Sequence, residues 1–210
     1  MESSLEYLYN KHMTKYILNS GGTRKHPEKT ISFFKEITKG LGKEPRILSC
    51  SFAEKREIWE EKFEEYKTSF SKLIGEDIQP KFEMAIPDKF IEQVKNNDII
   101  TISGGDDHLL LYWLSHFNLP EIWDGKVVAA ASAGSNVLSE SFYTCDWRQC
   151  FNGLGILPIK FISHYRSGFG NRDQRGPIDW DKAYQELLNF GDATLPIHAL
   201  EEGDFIVIEK

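Results

Sequence analysis

The chain has few cysteines, no excess of positive charge and no long apolar run, and each lack removes a class of protein. Three cysteines, Cys50, Cys145 and Cys150, among 210 residues are an odd number and too few for a disulfide framework, which points to a reducing compartment. Cys145 and Cys150 have neither a second cysteine pair nor a histidine at ligand spacing, so no metal site is expected. Lys and Arg number 25 against 32 Asp and Glu, a formal net charge of -7, and this balance offers no basic footprint to a nucleic-acid backbone. Nucleic acid is therefore not an expected partner. No window reaches the roughly 20 apolar residues of a membrane helix. The start carries Glu2 and Glu6 where a secretory leader would have basic and then apolar residues. No membrane partner is expected, and a cytoplasmic location fits. A Gly-Lys-Ser/Thr phosphate loop is absent, and Gly21-Gly22-Thr23 is no dinucleotide fingerprint, so no cofactor is expected.

What is present is the composition of a folded protein, 40% hydrophobic and 27% charged, at a length suited to one domain. Residues 1–12 lack an apolar period and read as an extension or a cloning remnant, which leaves a single domain over 13–210. Beyond them, short β-branched runs at 15–20, 46–51, 98–103 and 126–131 read as buried strands, and their unbroken apolarity suggests a parallel sheet. Amphipathic segments at 27–41, 54–73, 107–117, 133–142 and 179–190 read as helices, and 205–208 as a closing strand. The alternation predicts an α/β protein with helices on both faces of a mostly parallel sheet. Ligands of such sheets bind beyond the carboxyl ends of the strands. The ends at Gly21-Gly22-Thr23, Gly104-Gly105-Asp106 and Ser132-Ala133-Gly134 are therefore the places for function.

One of these ends has the form of a nucleophile elbow. An apolar strand runs into Ser132, with Ala130 two residues before it and Gly134 two after, the small neighbours that a sharp strand-to-helix turn requires. The turn also aims the Ala133 N–H at the reacting centre. Gly105, at the end of a second strand, can bring an unobstructed N–H toward the same point, and two converging donors make an oxyanion hole. Tight turns need small residues for packing alone, so a plain turn is the alternative at both places. The best base among six histidines is His164, which follows the apolar run 156–162 at a strand end. The acid that would orient it is Asp146, which gives the chain order Ser, Asp, His, or else Glu201 or Glu202 in the turn Leu200-Glu-Glu-Gly203.

These residues resemble the peptidase family of dipeptidase E (α-aspartyl dipeptidase) and cyanophycinase, family S51. The resemblance rests on Ile102-Ser-Gly-Gly-Asp106, similar to the family's Gly-Gly-Asn strand end, and on Ser132-Ala-Gly-Ser-Asn136, similar to its Ser-Ala-Gly-Ala-Asn elbow. His164 and Arg172-Asp-Gln-Arg175, similar to the family's Arg-Glu-Gln-Arg, complete it. It implies a three-layer sandwich of the class I glutamine-amidotransferase-like, flavodoxin-like kind and a serine peptidase acting on small peptides. Ser132 would be its nucleophile, His164 the base, Asp146 the third member, and Gly105 with Ala133 the oxyanion donors. Arg172 would be a bidentate clamp for an acidic side chain, as in Asp-X dipeptides. Asp106 stands where the family has asparagine, near the oxyanion hole or a substrate amino group. A non-catalytic ligand-binding or immunity protein and an esterase are the competing readings. Monomer and homodimer both remain open.

Overall fold

The computed structural model describes residues 13–210, so the reading of residues 1–12 lies outside the described residues. A six-stranded sheet is ordered β10-β1-β5-β4-β2-β3. Its strands are β1 (Lys15–Asn19), β2 (Arg46–Cys50), β3 (Lys81–Met84), β4 (Ile99–Ile102), β5 (Val127–Ala131) and β10 (Phe205–Glu209). All neighbours are parallel except β10, which runs antiparallel to β1. A four-stranded sheet, ordered β7-β6-β8-β9, is built from β6 (Ser139–Thr144), β7 (Gln149–Asn152), β8 (Leu157–Ile162) and β9 (Ile197–Ala199).

Alternate residues of the large sheet face opposite layers. Ile17, Ile47, Ile99 and Val127 pack against Phe33, Phe34 and Ile37 of α1 (Pro27–Thr38) and Phe70 of α2 (Trp59–Ile74). Leu18, Leu48, Ile100 and Val128 pack on the other face. Their partners come from α3 (Phe90–Asn96), α4 (Asp107–Leu114), α5 (Leu119–Ile122) and α6 (Ala133–Leu138), together with Leu157 and Phe161 of β8. Burial on both faces is why these strands read as continuous apolar runs. Each fully buried Leu, Ile or Phe contributes about 1.5–3 kcal/mol of transfer free energy. On the small sheet, Tyr143 and Ile162 meet Ala183 and Leu187 of α7 (Trp180–Asn189).

Several segments differ from the sequence expectation. The segment 133–142 is helical only to Leu138, after which β6 begins directly. Ser139 Oγ donates to the Asn136 carbonyl at 2.5 Å, closing the helix, and Phe142, Tyr143 and Thr144 have the branched or aromatic side chains that suit a pleated surface. β3 and α3 were not foreseen either. Lys81–Met84 is an edge strand whose side chains alternate between exposed and half-buried, so it lacks an apolar run.

The parallel strands end at one edge of the sheet. Ile102 is level with Ala130, and Asn19 with Ala131, so Gly104 and Ser132 stand side by side and Ser20-Gly21 flank them. β10 runs against β1 and therefore starts at the same edge, which carries the turn before it to this place.

Candidate active site

β5 passes into α6 through Ser132, which holds φ 51° and ψ -113°, a conformation that L residues other than glycine seldom adopt and that costs on the order of 1–3 kcal/mol. The turn closes only over small neighbours: a Cβ at Gly134 would fall 2.8 Å from the Ile102 carbonyl oxygen and 3.2 Å from the Ala130 methyl. Behind the elbow, Asn136 Nδ2 donates to the buried Asp107 at 3.0 Å. Ser163 Oγ lies 2.9 Å from Asn136 Oδ1 and 3.2 Å from the Ser132 carbonyl oxygen. This network ties α4, α6 and the end of β8 to the strained residue.

Ser132 Oγ lies 2.9 Å from His164 Nε2, and His164 Nδ1 lies 3.0 Å from Glu202 Oε1. With the Nδ1–H donating to the carboxylate, Nε2 is left to accept the serine proton. His164 is positioned from three sides. Its backbone N–H donates to Ser20 Oγ at 2.7 Å, its ring stacks on Phe169 at 4.4 Å between centroids, and Glu202 orients the far nitrogen. Burial lowers the His164 pKa from its ordinary value and outweighs the opposing hydrogen bond and charge of Glu202, while the Lys25 charge lowers it further. Glu202 is itself buried, which alone would raise its pKa. Lys25 Nζ donates to both carboxylate oxygens at 2.9 Å, and this contact with the one from His164 holds the pKa below the ordinary value. The resting pair is thus a neutral imidazole beside a carboxylate, the state a general base requires.

The carboxylate at hydrogen-bond distance from His164 is that of Glu202 and not that of Asp146, which chain order favours. Asp146 sits in the turn after β6, and it makes no hydrogen bond to His164; its carbonyl oxygen accepts from Arg175 at 2.8 Å. Burial raises the pKa of its carboxyl, with the Asp106 charge acting the same way and the charges of His164 and Arg175 acting against it. The physical reason is topological. The strand β10 lies against β1, which brings the turn with Glu202 directly onto the end of β1. Asn19 secures that turn: its Nδ2 donates to the Gly203 carbonyl at 3.1 Å and its Oδ1 accepts from the Gly21 N–H at 2.7 Å. Of the two glutamates in Leu200-Glu-Glu-Gly203, Glu202 points in, whereas Glu201 is exposed.

The remaining site residues divide. The N–H groups of Gly105 and Ala133 make no hydrogen bond to another described group, and the Gly104-Gly105 turn borders Ser132 by register. Asp106 caps α4, its carboxylate accepting from the Leu109 N–H at 2.9 Å. Arg172 is exposed and forms no ion pair with a described residue, while Arg175 is engaged by Asp173. Among the described residues, no group of three or more His, Cys, Asp or Glu side chains converges as metal ligands, and no helix is long and apolar enough to cross a membrane. The sequence reading missed Lys25 altogether and took Gly21-Gly22 only as a strand end. The available signal was the glycine pair itself, at the end of a strand that any parallel sheet would place near the elbow.

Solved structures share this fold, two of them peptidases by description. A peptidase from an acI-B1 Actinobacterium superposes with a TM-score of 0.61 at 24% identity, over 96% of this chain and 86% of that one. A peptidase E candidate from Listeria monocytogenes EGD-e gives 0.63 at 18% identity, over 94% and 98%. No curated protein sequence matches the chain. The sequence profile of Peptidase family S51 matches residues 16–210, nearly the whole of the described chain. The chain belongs to peptidase family S51 and is a serine peptidase.

Proposed function

We propose that the protein hydrolyses short peptides through an acyl-enzyme on Ser132. The observation that carries this reading is the relay from Ser132 to His164 to Glu202 at 2.9 and 3.0 Å. Ser132 Oγ attacks the scissile carbonyl carbon as its proton passes to His164 Nε2, and Glu202 stabilises the imidazolium. The oxyanion faces the N–H groups of Gly105 and Ala133. The C–N bond then breaks, with the His164 proton going to the leaving amine. Water attacks the ester with His164 taking its proton, and the acid product leaves as Ser132 recovers its hydrogen. The test is labelling by a fluorophosphonate together with release of amino acids from a dipeptide panel. Both should depend on Ser132 and be lost in Ser132→Ala; labelling of Ser132 no faster than of serines in the denatured chain overturns the reading.

The aspartyl-selective form of this activity rests on Arg172. The exposed guanidinium has no competing carboxylate among the described residues and is free to meet one on a substrate. Arg172→Ala would then lower kcat/KM for Asp-X dipeptides alone, and an equal effect on Leu-X would remove the clamp.

The pH dependence carries its own sign. Only neutral His164 can accept the serine proton, so kcat/KM should fall as pH drops through the His164 pKa, and burial places that midpoint below the ordinary value of about 6.5. Lys25→Met removes a positive charge that disfavours the imidazolium, so the acid limb should move to higher pH. A pH–rate profile of the two proteins checks this, and a limb unchanged or moved downward would exclude the role given to Lys25.

A further inference from the structure

The carboxyl ends of β2, β4 and β5 also shape the face toward α1 and α2. In register, the rows on that face begin with Ile47, Ile99 and Val127 and continue with Ser49, Thr101 and Ala129. The next positions on the same face are Ser51, Ser103 and Ala131. Side chains thus shrink row by row toward the edge that carries Ser132. The rings of Phe33 and Phe34 on α1 and Tyr66 on α2 stand over these small residues without filling the space, and a cavity of about 260 Å³ remains. One water needs roughly 10–15 Å³, so the space is of side-chain size. The cavity reaches Gly104, which stands beside Ser132 in the sheet.

Four charged residues line it. The cations Arg24 and Lys62 both pair with Glu65, at 2.6 and 3.1 Å, and Glu54 is the second carboxylate. A carboxylate entering the space would lose water, gain no free counter-ion and face Glu54 and Glu65. The Tyr66 hydroxyl is buried beside Thr101 and makes no hydrogen bond of ordinary geometry, a state that native structures usually avoid. The Ser49 hydroxyl, on the floor of the same space, makes no hydrogen bond to another described group.

We propose that this cavity takes the side chain of the residue whose carbonyl Ser132 attacks, and that it selects large side chains without negative charge, aromatic ones foremost. Phe33, Phe34 and Ile37 supply the apolar surface, and a phenol hydroxyl would meet Tyr66 or Ser49. The inference rests on Ser132 as the nucleophile and names the substrate class of that reading. It makes aspartyl dipeptides poor substrates, so the cavity and the Arg172 clamp exclude each other, and the Asp and Tyr reagents below decide between them.

The experiment reads side-chain selection without requiring turnover. Diphenyl α-aminoalkylphosphonates with the side chains of Tyr, Phe, Ala, Lys and Asp, and a simple fluorophosphonate without one, are reacted with the protein, and the Ser132 adduct is followed by mass. The Tyr and Phe reagents should react at least about tenfold faster than the Asp reagent. Ala129→Leu, which projects into the cavity, should lower the Tyr-to-Ala rate ratio by about tenfold or more, and Tyr66→Phe should lower the Tyr-to-Phe ratio. Each ratio is internal to one protein sample, so partial loss of folded protein cancels. An Asp reagent as fast as Tyr, or an unchanged ratio in Ala129→Leu, overturns the cavity assignment while Ser132 stands. Failure of the simple fluorophosphonate as well removes the nucleophile, and the cavity assignment with it.

Discussion

Glu202→Gln should slow fluorophosphonate labelling of Ser132 and peptide turnover by about 10⁴-fold, the size of effect expected when the acid orienting a catalytic imidazole becomes an amide. The amide can offer its NH₂ to Nδ1 and stabilise the tautomer with the proton on Nε2, the nitrogen that must accept from Ser132. Ser132→Ala should remove more, about 10⁶-fold in kcat. Asp146→Asn should leave fluorophosphonate labelling within about tenfold, because Asp146 acts on His164 only through its charge and the small reagent needs no substrate contact. Measuring labelling rates of the three variants side by side decides the acid. A loss in Asp146→Asn that matched that of Glu202→Gln would reject the Ser132–His164–Glu202 relay.

Gly21→Ala and Gly22→Ala should lower the rate by about 10²-fold although neither glycine takes part in the chemistry. A Cβ at Gly21 would stand 2.6 Å from His164 Cε1, and one at Gly22 would stand 2.6 Å from Glu202 Cβ; both residues have positive φ, 89° and 69°. The imidazole or the carboxylate must move, and a displacement of about 1 Å in a catalytic group costs about 10²-fold in rate. The backbone strain adds about 1–3 kcal/mol of destabilisation. Gly42→Ala is the control, since a Cβ there meets nothing within 4 Å and φ is not positive. A kcat for Gly21→Ala within threefold of wild type, at a temperature where the variant is folded, would show that the base tolerates displacement.

The elbow was readable because it is local. Ala130, Ser132 and Gly134 lie within five residues, and the steric demand of the turn is met by neighbours in sequence. His164 was readable for a similar reason, as a histidine directly after an apolar strand. The extent of the elbow helix was not. Ala133 to Phe142 has enough apolar residues for a helix, and the change to β6 after Leu138 is made by pairing with β7 and β8, partners that no local pattern reveals.

Glu202 shows the same division most sharply. Asp146 follows the elbow and precedes His164, so chain order favoured it, yet distance in space is set by strand pairing. The sequence by itself determined an α/β layer protein, a serine at a tight strand-to-helix turn, a histidine at a strand end and the peptidase family they resemble, since these depend on apolar runs and tight-turn residues close together in the chain. Only the tertiary structure decided which carboxylate meets the imidazole, why Gly21 and Gly22 must lack a Cβ, and where small residues on three strands leave a cavity. Each of these depends on β10 lying against β1 or on the register of β2, β4 and β5, and such contacts join residues as far apart in the chain as Lys15 and Glu209.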